Sequence, residues 1–162
     1  MMKVSDNLLA EQLLIIVSST FSHTLSSLKV INFILENQLK DLKQKPRWVD
    51  DSGLSRYKLC TPNSFVDVLT KMYRKIPKER LFSFFPDRRK SGSLIKGLSG
   101  KENSYIYAKS GTLGSNYNLS GNLIADSGKF LRFSYIYNNF MHSNIEIKAH
   151  IQTVFEQLRD DL

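Results

Sequence analysis

Apolar residues at three- and four-residue spacing, the pattern of amphipathic helices, dominate the N-terminal part of the chain. We predict a helix over residues 6–17, with Ser5 as its N-cap and Asp6 in the first turn, where the helix dipole favours an acidic side chain. A second helix is predicted over residues 24–42. It rests on one apolar stripe, formed by Leu25, Leu28, Ile31, Leu35, Leu39 and Leu42.

A third helix is predicted to begin after Thr61-Pro62, because proline suits a first helical turn, and to end near Pro77. Residues 84–103 are predicted to be loop, since one proline and several glycines interrupt them.

The last third of the chain changes from helical spacing to the alternation typical of β-strands. Three strands are predicted, over residues 105–113, 117–125 and 129–137, and a closing helix over residues 144–158. Asp126-Ser127-Gly128 has the composition of a tight hairpin between the last two strands. The order predicts an α+β fold: helices, then a three-stranded antiparallel meander, then a C-terminal helix.

The composition is that of an ordinary globular protein, but the positive charge is unevenly distributed along the chain. The 162 residues suit one domain, and the net charge of +8 is concentrated in residues 40–101, which hold 16 Lys and Arg against 6 Asp and Glu. Such a stretch suits nucleic acid, an anionic envelope polymer or an ordinary solvated surface. No helix-turn-helix, zinc-finger or aromatic RNA-binding pattern accompanies it, so nucleic acid is not expected as a partner.

Several classes of protein are excluded or disfavoured by short features. The longest apolar run, residues 13–17, is too short to cross a bilayer, so no membrane span is expected. Asp6 and Glu11 interrupt any apolar signal-peptide core. The single cysteine, Cys60, excludes an internal disulfide and a cysteine-based metal site, and the three histidines lack metal-ligand spacing.

Two short strings carry candidate chemistry. Ser5-Asp6-Asn7 opens the first predicted helix, and Lys109-Ser110-Gly111-Thr112 lies on the first predicted strand. Each is common alone: the first serves most often as a helix cap, and Lys90-Ser91-Gly92 occurs elsewhere in the chain. Their order and placement match two of the three motifs of penicillin-interacting serine acyl enzymes, Ser-x-x-Lys, Ser-Asp-Asn and Lys-Thr-Gly.

Around these motifs the chain resembles the C-terminal part of the D-alanyl-D-alanine carboxypeptidase/endopeptidase family of serine-type, low-molecular-mass penicillin-binding proteins. The resemblance covers nearly the whole chain and is carried by residues 4–11, 51–56, 107–113 and 118–123. It implies part of a penicillin-binding, serine β-lactamase-like transpeptidase fold, with residues 1–162 as the C-terminal portion of a single domain.

The resemblance also implies roles for three catalytic residues. Ser5 would relay a proton between a catalytic lysine, the nucleophile and the leaving amine. Asn7 would hold the peptide group of the substrate, and Lys109 would supply positive potential near its terminal carboxylate.

Three substrate-binding residues follow on the same strand. The hydroxyls of Ser110 and Thr112 would bind the substrate carboxylate, and the backbone N–H of Thr112 would serve as one oxyanion-hole donor. Gly111 would leave room for a substrate lying along the strand edge.

The third motif, Ser-x-x-Lys, precedes the second in this family, yet only four residues precede Ser5. The chain contains two such strings, Ser26 to Lys29 and Ser55 to Lys58, and both follow Ser5. We therefore expect that the nucleophile-bearing N-terminal portion is absent and that the chain alone is inactive. Whether it acts as an enzyme is open at this point.

The leading hypothesis is thus the C-terminal part of a cell-envelope or periplasmic D-Ala-D-Ala carboxypeptidase. It would act on peptidoglycan stem peptides, bind β-lactams in the intact enzyme, and need no metal or organic cofactor. The alternative is a non-catalytic fragment or binding module that completes a separate chain and contacts anionic wall polymers through its basic surface. Without the missing portion, Leu8, Leu13 and Phe65 are expected to expose apolar surface and to promote self-association.

Overall fold

The computed structural model of the chain describes residues 1–86 and 105–162. The loop predicted over residues 84–103 therefore lies almost entirely outside the described residues. The described helices are α1 (Asn7–Ser18), α2 (Ser27–Phe33), a π-helical turn (Ile34–Gln38), α3 (Pro62–Lys75), α4 (Lys78–Phe84) and α5 (Asn144–Asp161), and the strands are β1 (Ile106–Thr112), β2 (Asn116–Ile124) and β3 (Phe130–Asn138). None of these helices is long and apolar enough to cross a membrane.

The three strands form the predicted antiparallel meander, in the order β1-β2-β3. The predicted hairpin is confirmed: Gly128 takes a φ of 83°, in the left-handed region that favours glycine. Its N–H donates to the carbonyl of Ala125. Alternation with a polar turn was enough to predict this part of the fold.

Helices cover both faces of the sheet. On one face, α5 packs against apolar side chains of all three strands, and the buried members include Ile106, Ala108, Leu119, Leu123, Ile147, Ile151 and Phe155. On the other face, Tyr73 of α3 stacks on Phe130 with ring centroids 4.6 Å apart, and Phe82 of α4 stacks on Tyr107 at 4.3 Å. The sheet is the centre of the described fold.

Gly121 lets β1 and β2 approach closely. A Cβ added there would lie 2.3 Å from the carbonyl oxygen of Tyr107 and 2.5 Å from the Cα of Ala108, both of which belong to the backbone of β1. Any side chain at this position would force the strands apart.

The predicted N-cap of α1 was wrong. Asp6 caps the helix, because its Oδ1 accepts the N–H of Leu9 at 2.8 Å. Ser5 lies before the cap with a φ of 55°. Serine and aspartate are about equally good caps, so the pattern alone could not choose between neighbours. The helix starts one residue later than predicted.

The predicted helix over residues 24–42 was too long at both ends. Ser26 is the N-cap of α2, with its hydroxyl accepting the N–H of Lys29, and α2 gives way to the π-helical turn that ends at Gln38. In that turn the Asn37 side chain donates to the carbonyl of Phe33 at 2.9 Å and so competes with regular helix bonding. Leu25 and Leu28, assigned to the apolar stripe, are 64% and 63% exposed.

The third helix is confirmed as α3, with Thr61 as its N-cap. The short helix α4 was missed, because its seven residues, directly after Pro77, are too few for a clear helical period. Leu81 of α4 is fully buried and packs with Leu69 of α3. The closing helix is confirmed as α5.

Candidate active site at the edge of the sheet

The Lys109–Thr112 string occupies the last four positions of β1. Because β1 is an edge strand among the described residues, one side of its backbone has no strand partner there. Gly111 and Thr112 are exposed, and no atom lies within 4 Å of the point where a Cβ of Gly111 would stand. An extended peptide can therefore approach this end of the strand closely.

Lys109 is the charged group of this string. Its Nζ donates to the carbonyl oxygen of Ser110 at 2.5 Å, and within the described residues no carboxylate forms an ion pair with it. Burial lowers the pKa of the Lys109 ammonium, since water solvates the half-buried charge incompletely. An anionic ligand at this position would stabilise the charged form of Lys109.

The alternation of the strand separates the side chains of the string. Lys109 points to the face that carries α3 and α4, and its cross-strand neighbour is Ser120, whose hydroxyl lies 2.8 Å from that of Ser134. Ser110 and Thr112 point to the opposite face. One ligand can reach both sets only along the free edge of β1, where the two faces meet.

Ser5 and Asn7 flank the N-cap of α1, and both are exposed. Because Asp6 caps the helix, the Ser5 hydroxyl is not used as a cap. Neither the Ser5 hydroxyl nor the Asn7 amide forms a hydrogen bond to another described residue.

One contact links the residues before α1 to the cluster beneath β1, and another links α1 to residues 51 and 52. Met2 packs against the apolar cluster of α3 and α4 that also includes Tyr107, two residues before Lys109. Glu11, one turn further along α1, accepts the backbone N–H groups of Asp51 and Ser52 at 2.5 and 2.6 Å. In these contacts the two motifs are connected through neighbouring residues, Met2 and Glu11.

The loop held by Glu11 was matched by sequence only as a family segment, and its contacts were not foreseen. The Arg56 guanidinium lies against Gly114, just beyond Thr112: a Cβ added to Gly114 would lie 2.6 Å from its Nη2. Gly114 has a φ of 55°, in the left-handed region that favours glycine, and the Arg56 guanidinium would have to move to admit a side chain there. An indication of these residues was present in the sequence, because Glu11 and Arg56 lie within the segments that resemble the family.

Acidic side chains cluster on the same loop. Burial raises the pKa of Asp51 to about 6, and the nearby Glu11 and Asp50 carboxylates add to the rise while Lys58 opposes it. Lys58 pairs instead with Asp50, with Nζ and Oδ1 3.1 Å apart. Among residues 1–86 and 105–162, no group of three or more His, Cys, Asp or Glu side chains is placed to hold a metal ion.

Neither Ser-x-x-Lys string lies on a helix with both residues on one face. Ser26 is the N-cap of α2 and receives the backbone N–H of Lys29. Ser55 and Lys58 lie in a loop, where the Ser55 hydroxyl accepts the N–H of Tyr57. This geometry differs from the shared helical face that a serine nucleophile and its lysine need.

Comparison with known proteins gives a consistent family. Residues 1–160 match the D-Ala-D-Ala carboxypeptidase 3 (S13) family. The chain is 29% identical over 158 residues to D-alanyl-D-alanine carboxypeptidase DacB of Haemophilus influenzae. This match covers 92% of this chain and 32% of that protein. It is 30% identical over 107 residues to penicillin-sensitive carboxypeptidase A of Dictyostelium discoideum. This match covers 61% of this chain and 20% of that protein. The chain thus spans about a third or less of the length of these relatives.

Solved structures share the fold. Penicillin binding protein 4 (dacB) from Haemophilus influenzae, in complex with a β-lactam, has a TM-score of 0.84 at 24% identity, covering 99% of this chain and 40% of that chain. A predatory endopeptidase from Bdellovibrio bacteriovorus, acylated by penicillin G and bound to an immunity protein, has a TM-score of 0.76 at 15% identity, covering 99% and 43%. The predicted part of a penicillin-binding fold is confirmed, and with the match over residues 1–160 it follows that the chain belongs to the D-Ala-D-Ala carboxypeptidase 3 (S13) family.

Proposed function

We propose that these residues form the C-terminal part of a serine-type D-Ala-D-Ala carboxypeptidase or endopeptidase of the cell envelope. In this role they hold the D-Ala-D-Ala end of a peptidoglycan stem peptide, or a β-lactam in its place. The observation that carries the proposal is the half-buried Lys109, which has no carboxylate partner among the described residues and lies at the open end of an edge strand beside Gly111.

Each residue of the strand has a role in this proposal. The ammonium of Lys109 attracts the terminal carboxylate, and the Ser110 and Thr112 hydroxyls donate hydrogen bonds to it from the strand edge. The N–H of Thr112 stabilises the oxyanion that develops on the attacked carbonyl, a contribution of about 3–4 kcal/mol to the barrier. Gly111 keeps the space for the substrate backbone.

The covalent step requires a Ser-x-x-Lys segment, which we assign to a polypeptide equivalent to the remaining part of the longer relatives. Its serine hydroxyl adds to the carbonyl carbon between the two D-Ala residues, and the C–N bond to the terminal D-Ala breaks. The hydroxyl proton passes through the lysine and Ser5 to the leaving amine, while Asn7 holds the substrate amide. Water then hydrolyses the ester, so no metal or organic cofactor takes part.

A titration with a short peptide ending in D-Ala-D-Ala tests the binding role, with the L-Ala-L-Ala isomer as control. We expect the D-isomer to shift the NMR amide signals of Gly111 and Thr112. Lys109→Met should weaken binding on the order of tenfold, because a charge-assisted hydrogen bond is lost. Lys129→Met, at the far end of the sheet, should leave the affinity unchanged. Equal binding of both isomers would refute the proposal.

A fluorescent penicillin followed by a denaturing gel tests the assignment of the nucleophile. We expect no covalent adduct with these 162 residues alone. An adduct would show that the chain contains its own nucleophile, and the same assay on Ser26→Ala and Ser55→Ala variants would identify it.

The outer surface of α1 favours a second candidate function, a non-catalytic module that completes a separate chain. Leu9, Leu13 and Ile16 form an exposed stripe along one side of the helix. Sedimentation should show self-association of the chain, which Ile16→Lys reduces. A monodisperse wild-type monomer would contradict the expected self-association.

Anionic wall polymers would contact such a module at the junction of α3 and α4. A shallow, open depression of about 450 Å³ there is lined by Arg74, Lys75 and Lys78, among others. Retention on an anionic polymer that survives substitution of all three residues would exclude this depression as the contact.

A further inference from the structure

The loop formed by residues 47–59, here the 47–59 loop, is closed and internally bonded. Two backbone hydrogen bonds between Arg47 and Leu59, of 2.8 and 3.0 Å, join its ends. Inside it, Asp50 accepts the N–H and the hydroxyl of Ser52 at 3.0 and 2.8 Å. The paired ends and these internal bonds restrict the conformations that the loop can adopt.

One side of the 47–59 loop is fixed to the N-terminal helices. Trp48 packs against the cluster formed by Leu14 of α1 and Val30 and Ile31 of α2, and its indole N–H donates to the carbonyl of Asp50 at 2.7 Å. Glu11 adds the contact described above, with one carboxylate oxygen accepting two successive N–H groups of the loop. A charged acceptor that receives two backbone N–H groups is a strong anchor.

The other side of the 47–59 loop reaches the sheet. Arg56 lies against Gly114 in the turn between β1 and β2, directly after Thr112. The turn itself is closed by the Leu113 N–H, which donates to the carbonyl of Asn116 at 3.1 Å. The loop therefore spans from the first half of α1 to the open end of β1.

We propose that Glu11 is a positioning residue, which acts through the 47–59 loop and Arg56 to set the separation between the start of α1 and the Lys109–Thr112 end of β1. The inference rests on the proposed function, in which a substrate is held between Ser5 and Asn7 on one side and β1 on the other. Glu11 itself does not touch the substrate. Its contribution is to keep the two sides at a distance that matches the ligand.

Three variants separate this role from simple stabilisation. Glu11→Ala removes the acceptor, Glu11→Asp keeps the charge but shortens the side chain by one methylene, and Glu11→Gln keeps a carbonyl oxygen at the same reach. Glu36→Ala is the matched control, because Glu36 is exposed and lies in the same helical region. All are compared at a temperature where circular dichroism shows the chain to be folded.

The first measurement uses the ligand-free chain. Glu11→Ala and Glu11→Asp should shift the side-chain Nε–H NMR signal of Arg56 and the amide signal of Gly114, although neither residue contacts Glu11. Glu11→Gln and Glu36→Ala should leave both signals in place. Unchanged signals in Glu11→Ala would overturn the proposal whatever the ligand affinity.

The second measurement is the affinity for a peptide ending in D-Ala-D-Ala. We expect Glu11→Ala and Glu11→Asp to bind about tenfold more weakly, as for the loss of one charge-assisted hydrogen bond, and Glu11→Gln to recover most of the affinity. Wild-type affinity in folded Glu11→Ala would leave Glu11 a purely structural role. If the wild-type chain binds no peptide, the proposed function fails, and the Arg56 and Gly114 signals still decide whether Glu11 positions β1.

Discussion

Helices α1 and α5 were both predicted from apolar spacing, but their surroundings are very different. Along α5, Ile151 and Phe155 are almost completely buried against the sheet. Along α1, Leu8 is 71% and Ile16 59% exposed, and only Ala10, Leu14 and Ser18 are buried. The comparison teaches that periodicity predicts which residues can form a helix, whereas burial depends on what else is present to pack against it. The described sheet has helices packed on both faces, whereas one side of α1 is exposed.

The largest expected effect concerns the sheet region. Gly121→Ala should lower the free energy of unfolding by more than about 4 kcal/mol or prevent folding, because the new Cβ would meet the backbone of β1. Chemical denaturation followed by circular dichroism measures it.

Gly111→Ala is the matched control, since the same change at an open position of β1 should cost less than about 1 kcal/mol. Equal losses in the two variants would mean that the approach of β1 and β2 is not what Gly121 provides. Gly111→Ala should instead weaken binding of a D-Ala-D-Ala peptide, because its methyl group occupies the proposed substrate space.

The next effect concerns the two sides of α1. Leu14→Ala should cost about 2–4 kcal/mol, because Leu14 packs in the cluster shared with α2. Leu13→Ala, one residue away and partly exposed, should cost less than about 1 kcal/mol. Thermal melts of the two variants give the difference. Similar losses would show that the outer side of α1 is already covered, for example by self-association, and would erase the contrast with α5.

A smaller effect is expected where α5 meets the β2–β3 turn. The buried Arg159 lies 3.4 Å from Asp126 and 2.5 Å from Asp160, and its guanidinium is 4.8 Å from the ring centre of Tyr105. Arg159→Met should cost about 2 kcal/mol, since it breaks these contacts while keeping most of the side-chain volume. Gln157→Met, at an exposed position of the same helix, is the control and should cost less than about 0.5 kcal/mol. An equal cost for both would exclude a special role for the Arg159 contacts.

The sheet region could be predicted from sequence because its information is local. Alternation along β3 and the turn before Gly128 specify the pairing and the register within a few residues. The α1–α2 region could not be predicted as well, because Ser26 and Asn37 form competing side-chain hydrogen bonds whose outcome depends on tertiary packing.

In the candidate site, too, the local features could be predicted from sequence and the long-range contacts could not. The residue types of the two motifs were visible in the sequence, but the contacts of Glu11 with residues 51 and 52 span about forty positions. No local pattern reports such a contact. The close approach at Gly121 was likewise invisible, because it depends on the backbone of another strand.

The smallest expected effect tests the loop that joins the two regions, through the pH dependence of Asp51. Its pKa is about 6 in the folded chain, against 3.8 for an unperturbed aspartate, so the folded state keeps a proton that the unfolded state releases. The stability that protonated Asp51 contributes to the fold is therefore fully present below about pH 4. It falls as the pH rises to about 6 and stays low above that. Asp51→Asn, which cannot ionise, should match the wild type at pH 4 and exceed it by about 1 kcal/mol at pH 7.5, a modest figure because partial exposure screens the charge.

Thermal melts of the two proteins across this pH range isolate Asp51 from the other carboxylates, which are common to both. Because the Glu11 carboxylate contributes to the raised pKa of Asp51, the same comparison in a Glu11→Gln background should move the transition to lower pH. A stability difference that does not change with pH would mean that Asp51 is solvated like an ordinary surface aspartate. The part of the 47–59 loop around Asp51 would then not be packed against α1, which would weaken the proposed link between Glu11 and the open end of β1.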